Sequence, residues 1–461
     1  MAPQGGGSRP RRRVMQGGSE AGFSPPWGPS FESVLDGWMT VAREDREVAL
    51  LMAREADRER RTMRLIASEN YVSPAVLAAL SATLSNKYAN GYAGRRKYPG
   101  CEWADEIEML AIERAKEVFG GDHVNVQPHS GSQANLAAYL AVLSPGDTLL
   151  ALHPEHGGHF THGGNGNFSS AFFRVEHFGV DRASGLIDLA AVERRAEQVQ
   201  PKAIVIGATT YPRRLDVEGL AGVARSVDAL LIVDAAHIIG LVAAEIHPDP
   251  VACADLVTFT THKTLRGPRG GAIICKQELA ERVDAAVFPM VQGGPNLGVI
   301  AAKAVAFREA RAPSFSVYAR RAVSLAEVMA NSFSEGGLRV LTDGTDTHIV
   351  LVDLSELGMD GEHAERGLAE SGILANRSRI PFDPLEAGES GLRFGTAAVA
   401  TLGMSTDEMA RLAHMIVALL RDRWTPVTRY EAASLVARLH ARLAPYTDPF
   451  EHPFGERIFD A

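Results

Sequence analysis

Between His123 and Lys276 the chain alternates between two kinds of segment. Short apolar runs are followed by a polar or glycine-rich turn and then helix-forming sequence. HVNVQ (His123–Gln127) leads into PHSGSQANLAAYLAVL, DTLLAL (Asp147–Leu152) into HPEHGGHFTHG, and KAIVIG (Lys202–Gly207) into ATTYPRR. ALLIVD (Ala229–Asp234) leads into AAHIIG, and DLVTFT (Asp255–Thr260) into THKTLRGPRGG, with GGAIICK (Gly270–Lys276) next. Strands this short and this apolar are buried on both faces, which predicts an α/β fold with a mostly parallel sheet wrapped by helices. In such sheets ligands bind at the carboxyl ends of strands. Nearly all the unusual residues of this chain lie there.

Flanking sequence extends the plan. Residues 1–32 are rich in Gly, Pro, Ser and Arg, without an apolar leader segment, and read as a flexible tail or a transit peptide. From Ser33 mixed charges with spaced apolar residues suggest one or two helices with an exposed face. Glu102–Phe119 is amphipathic, with Trp103, Ile107, Leu110 or Ala111, and Val118 at helical spacing, and Gly120-Gly121 stops it. A helical stretch from Asn296 to about Phe333 precedes a new strand, THIVLVDL (Thr347–Leu354), and a last helix near Asp407–Arg421. The expected layout is a tail (1–32), an arm with the large domain (33–333) and a smaller C-terminal α+β domain (334–461).

Composition excludes several functions. The 461 residues carry a formal charge of −9, so a global basic field for nucleic acid is absent. PRRR in the tail is a weak signal by itself. Apolar runs are too short to span a bilayer. Cys101, Cys253 and Cys275 form no CxxC pair and indicate neither a disulfide framework nor a zinc site, so a reducing cytoplasm is the expectation.

Three strand ends carry chemistry. In PHSGSQAN (Pro128–Asn135) a Ser-Gly-Ser turn opens a helix, presenting backbone N–H groups and hydroxyls that suit a phosphate; a simple helix cap is the alternative. In IVDAAH (Ile232–His237) Asp234 ends a buried strand, where an acid needs a partner such as a protonated pyridine nitrogen; capping the next helix is the alternative. In TFTTHKTLRGPRGG (Thr258–Gly271) Lys263 is a candidate Schiff-base amine beside Arg269, while Thr260, Thr261 and His262 can bond a phosphate. Phosphate cradle, aspartate and lysine together meet the needs of pyridoxal 5'-phosphate.

With these motifs the chain resembles the serine hydroxymethyltransferase family of fold-type-I pyridoxal-phosphate enzymes, from about Leu65 to Arg421. LIASENYVSP, QPHSGSQAN, HGGHFTHG, VDAAHIIGLVAA, TTHKTLRGPRGG, FPMVQGGP, GTDTHIVLVDL and GLRFGT carry the resemblance. It implies that Lys263 forms the Schiff base, that Asp234 pairs with the ring nitrogen, and that His237 lies near the ring. Ser130, Gly131, Ser132 and His262 would hold the phosphate, joined by Tyr88 and Gly294 of a partner subunit. His156 would stack on the ring, Thr209 would meet its phenolic oxygen, and Arg393 would bind the substrate carboxylate. Ser68 and Tyr98 would flank the substrate across the dimer. His153, His156, His159 and His162 recur every three residues, but in a glycine-rich turn rather than on a helix face, so no metal site is expected. One histidine beyond the stacking one, His159, is the candidate acid or base. A site shared between subunits implies a homodimer or a tetramer.

The loop NKYANGYAGRRKYPG (Asn86–Gly100) departs from the family's pattern. Asn90 stands where the family has a glutamate tied to proton handling in folate-dependent transfer, Lys97 where it has a second aromatic, and Ser378 where it commonly has an asparagine facing the pteridine. An amide is no general acid or base. Retro-aldol cleavage needs none of the altered groups, and a slowly reprotonated glycine carbanion survives to attack a second aldehyde. The expected activity is therefore a folate-independent L-threonine transaldolase, of the kind that makes β-hydroxy amino acids for secondary metabolites. Lys97 and the neighbouring arginines would meet a polar or anionic aldehyde. The alternatives are tetrahydrofolate-dependent hydroxymethyl transfer from serine or an α-methylserine, and a catalytically idle binding protein.

Overall fold

A computed structural model describes residues 32–383 and 388–443. The tail expected over 1–32 lies outside them as far as residue 31. The chain enters through two helices, Glu32–Glu44 and Arg46–Arg61, and a short strand β1 (Met63–Arg64). The main sheet has seven strands: β2 (His123–Asn125), β3 (Thr148–Leu152), β4 (Arg174–Phe178), β5 (Ala203–Gly207), β6 (Leu230–Asp234), β7 (Leu256–Thr260) and β8 (Gly271–Cys275). Their order is β2-β8-β7-β6-β5-β3-β4. From β7 to β4 the strands run parallel, whereas β8 is antiparallel to both of its neighbours. The link from β7 to β8, residues 261–270, is too short for a helical crossover and must reverse the chain.

Alternation along each strand divides the core. In β3, Leu150 and Leu152 belong to the large cluster that continues under the second domain, while Leu149 and Ala151 pack with the helix Gly131–Val142 on the other face. The helix Glu102–Phe119 forms as expected, with Ile107, Ala111 and Val118 on the core side but Trp103 turned outward. Ala104, Ala111, Ala115 and Phe119 are buried, and Trp103 is 78% exposed. Small residues let this helix approach its neighbour Leu297–Ala310 closely.

The helix Pro313–Glu335 leads to a second sheet of β9 (Arg339–Val340), β10 (Ile349–Asp353), β12 (Asn376–Ser378) and β13 (Gly391–Gly395), antiparallel throughout in the order β12-β13-β10-β9. β11 (Ile373–Leu374) pairs in parallel with β1, and Gly395 N–H donates to the Leu65 carbonyl. The arm, expected with the large domain, thus makes its strand pairing with the small one. The arm helix Arg46–Arg61 buries none of its residues and packs against Pro426–Leu443. Among the described residues no helix is long and apolar enough to cross a membrane.

Candidate active site

The carboxyl ends of β5, β6 and β7 stand in register, with Gly207 beside Asp234 and Asp234 beside Thr258. Above them is a cavity of about 270 Å³. Ser130, Ser132, Thr209, His159, Asp234, His237, His262 and Lys263 all line it. Ser68 lines the same cavity of the same chain, so it belongs with Lys263 rather than across a dimer.

Asp234 is held by a set of donors that the sequence reading missed. Its Oδ1 accepts from Ala236 N–H at 3.0 Å; its Oδ2 accepts from Asn135 Nδ2 at 2.8 Å and His162 Nε2 at 3.1 Å. Asn135 is fixed in turn, accepting from the Thr258 hydroxyl at 2.5 Å and donating to Thr161 at 2.9 Å. His162 Nδ1 accepts from the His159 amide at 3.1 Å, so the ring proton sits on Nε2, toward Asp234. Burial pushes the Asp234 carboxyl up, but the His162 bond, electrostatic attraction toward the His162 and His159 rings, and the Asn135 bond outweigh it. The carboxyl is held well below the usual range and stays ionised. Asn135 sits one helical turn after the Ser-Gly-Ser motif, a spacing from which it could have been found.

Lys263 faces the cavity, and its Nζ makes no hydrogen bond among the described residues. Burial lowers its pKa to about 8, opposed by Asp234 and assisted by Arg393 and Arg269. Its backbone is pinned by residues remote in the chain: Asn70 Nδ2 donates to the Lys263 carbonyl and to the Tyr318 hydroxyl, which donates to the Thr264 carbonyl. Arg393, on β13, donates from Nε to Asn376 and from Nη1 to the Thr209 carbonyl, leaving Nη2 without a protein partner among the described residues. Burial holds its pKa down to about 10.

The phosphate end needs one correction. Ser130 caps the helix, accepting from Gln133 N–H at 3.2 Å, so the cap and the cradle are one feature. Gly131 is required because a Cβ there would lie 2.5 Å from Thr260 Cγ2. Thr260 and Thr261 were expected to donate to phosphate, but their hydroxyls donate to the carbonyls of Ala236 and Pro268. His262 Nδ1 is buried without a partner, a donor or acceptor awaiting one. Its pKa is lowered to about 3, by burial first and then by Arg269 and Lys263.

The histidine run also differs from expectation. His159, not His156, borders the cavity. His156 Nδ1 accepts from Val180 N–H at 3.2 Å, and its ring packs on Phe382, outside the cavity wall. His159 Nδ1 is taken up by Thr161 at 2.6 Å, and burial lowers its pKa to about 4. A neutral, oriented ring suits stacking better than acid–base work. His153 caps the turn Pro154–His156, accepting from Glu155 N–H.

Tyr88 and Gly294 line a second cavity, of about 470 Å³, which shares only Arg269 with the first. Tyr88 and Tyr98 are exposed and meet edge to face at 5.5 Å. Asn90 is half-buried beside Gly294, where a Cβ would come within 2.8 Å of its Oδ1, and that oxygen is buried with no hydrogen-bond partner. Lys97 N–H donates to the Asn90 carbonyl at 2.9 Å. Arg96 is not available to a ligand: its guanidinium bonds Asp105, Glu108 and the carbonyls of Ala89 and Gly91. Lys97 and Arg95 are exposed. Ser378 is buried on β12. Among the described residues no cluster of His, Cys, Asp and Glu could hold a metal ion.

Taken together, the cavity offers a helix N-terminus, the unpartnered His262 nitrogen, an ionised aspartate and a free amine. These residues fit pyridoxal phosphate: Ser130–Ser132 would hold the phosphate, Asp234 would face the ring nitrogen and Lys263 would take the aldehyde. Residues 41–416 match the family described as serine hydroxymethyltransferase. The serine hydroxymethyltransferase of Coprothermobacter proteolyticus is 50% identical over 407 residues, spanning 88% of this chain and 98% of the relative. The chain therefore belongs to the serine hydroxymethyltransferase family, and is a pyridoxal-phosphate-dependent transferase of fold type I.

Proposed function

We propose that this enzyme is a folate-independent L-threonine transaldolase. It would cleave threonine to acetaldehyde and a glycine unit, then join that unit to a second aldehyde to give a new β-hydroxy amino acid. Bound pyridoxal phosphate supplies the electron sink that lets the Cα–Cβ bond open and close. Lys263 would hold the cofactor, Asp234 would keep a proton on its ring nitrogen, and His159 would lie against its face. The free edge of Arg393 takes the substrate carboxylate, a task that suits guanidinium. Ser68 borders the substrate from the same chain. Tyr88, Tyr98 and Gly294 lie apart from Lys263 within one chain, which supports a site completed by a second copy.

The single observation carrying the acceptor assignment is Asn90. An amide with a buried, unpartnered oxygen occupies the position of the family's loop glutamate, and it can neither give nor take a proton there. Slow return of a proton to Cα leaves time for a second aldehyde. Exposed Lys97 and Arg95 favour a polar or anionic one. A second reading, tetrahydrofolate-dependent hydroxymethyl transfer between serine and glycine, is favoured by the name and 50% identity of the Coprothermobacter relative. The free Lys263 amine argues against an idle binding protein, which would give no borohydride-trapped adduct at Lys263.

The deciding assay follows acetaldehyde from L-threonine without folate, with and without a panel of aldehydes, beside L-serine with tetrahydrofolate. Acceptor-dependent acetaldehyde with a new β-hydroxy amino acid supports the transaldolase. Folate-dependent glycine formation from serine, with threonine nearly inert, overturns it in favour of the second reading.

A further inference from the structure

Lys303, on the helix Leu297–Ala310, is only 1% exposed. Its Nζ donates to three backbone carbonyls: Val126 at 2.6 Å, Gly271 at 2.7 Å and Pro128 at 3.0 Å. Three acceptors require three N–H groups, so the geometry demands the charged ammonium. Among the described residues no carboxylate pairs with it. Glu108 acts on it only through space, and Glu108 already bonds Arg96 and Gln127. A buried cation without a counter-ion is costly. Burial accordingly presses the Lys303 pKa down to about 7.

The three carbonyls mark where the chain leaves β2 and enters β8, directly beneath the turn that opens the helix Gly131–Val142. Gly271 N–H donates to the Pro128 carbonyl, and a Cβ on Gly271 would lie 2.2 Å from the Ser130 carbonyl oxygen. Three carbonyl dipoles aimed at one point repel each other unless a cation sits between them. We propose that Lys303, which lines the second cavity just behind the turn, is a positioning residue for the cofactor phosphate: it clamps the carbonyls of Val126, Pro128 and Gly271 and so holds the Ser-Gly-Ser turn in place. This assignment holds for either acceptor.

The test compares pyridoxal phosphate with pyridoxal, which lacks the phosphate, as ligands of the parent and of Lys303→Met, each titrated by visible absorbance of the bound cofactor. A loss of about 10-fold or more in pyridoxal-phosphate affinity is expected, with pyridoxal affinity changed by about threefold or less. Equal losses for the two ligands, or no loss, would overturn the proposal by making Lys303 a general core residue. Should Lys303→Met not fold, Lys303→Gln, which keeps two N–H donors without the charge, is read by the same ratio.

Discussion

Replacing Asn135 by Leu tests whether the buried network around Asp234 acts as a unit. The side chain donates 2.8 Å to Asp234 and accepts 2.5 Å from Thr258, and all three residues are buried. A hydrogen bond to a charged group contributes about 1.5–3 kcal/mol, and an orphaned buried hydroxyl costs about 1–3 kcal/mol. Asn135→Leu loses the first and creates the second, at Thr258, so destabilisation of about 3–5 kcal/mol is expected. Thr258→Val alone loses one neutral bond and leaves the Asn135 oxygen unpaired, at about 1–2 kcal/mol. In the double variant no hydroxyl is orphaned, so its cost should fall short of the sum by roughly 2 kcal/mol. Urea unfolding of the cofactor-free protein at neutral pH measures all four corners. Additivity within about 0.5 kcal/mol would refute a shared network, and an unshifted midpoint in Asn135→Leu would refute the bond to Asp234 altogether.

Three further outcomes are expected. The pKa of Lys263 is about 8 in the folded protein against an ordinary 10.5, so between those values the unfolded chain binds a proton the folded one does not. Stability of the cofactor-free parent relative to Lys263→Met should therefore rise with pH across that window; a flat or falling difference in unfolding midpoints would contradict the buried amine. His159→Ala should lower cofactor affinity about 10-fold or more while His156→Ala changes it by about threefold or less, since only the first borders the cavity; absorbance titration giving the reverse order would restore the sequence-based assignment. Asn90→Glu should raise folate-dependent serine cleavage and shorten the productive life of the glycine unit, read as less acceptor product per acetaldehyde released. An unchanged ratio would remove Asn90 from the reaction.

Much of this was legible in the sequence because the signals are local. The apolar runs end at or within two residues of their strands' ends, so Asp234 falls on the end of β6 and Lys263 in the turn just after β7. For the Ser-Gly-Ser turn the sequence offered a phosphate cradle with a helix cap as the alternative, and Ser130 does cap the helix. What failed depended on direction rather than position. His156 and His159 lie three residues apart in the same glycine-rich turn, and only the path of that turn decides which ring meets the cavity. Thr260 and Thr261 have hydroxyls in the right place, yet neighbouring carbonyls claim them. Trp103 lies in the apolar spacing of its helix but faces out, because a stripe of alanines packs closer.

By itself, then, the sequence pointed to the α/β class and to the cofactor, through an aspartate at a strand end and a lysine in the turn after one, while Arg393 came only from the family resemblance. Only the tertiary structure decided the supporting shell. Asn135 and His162 reach Asp234 from two different segments, Lys303 gathers carbonyls from two strands, and the arm's β1 crosses to the second domain to pair with β11. A buried charge is satisfied by whatever the fold brings within about 3 Å, and those neighbours are remote in the chain, so no local pattern records them.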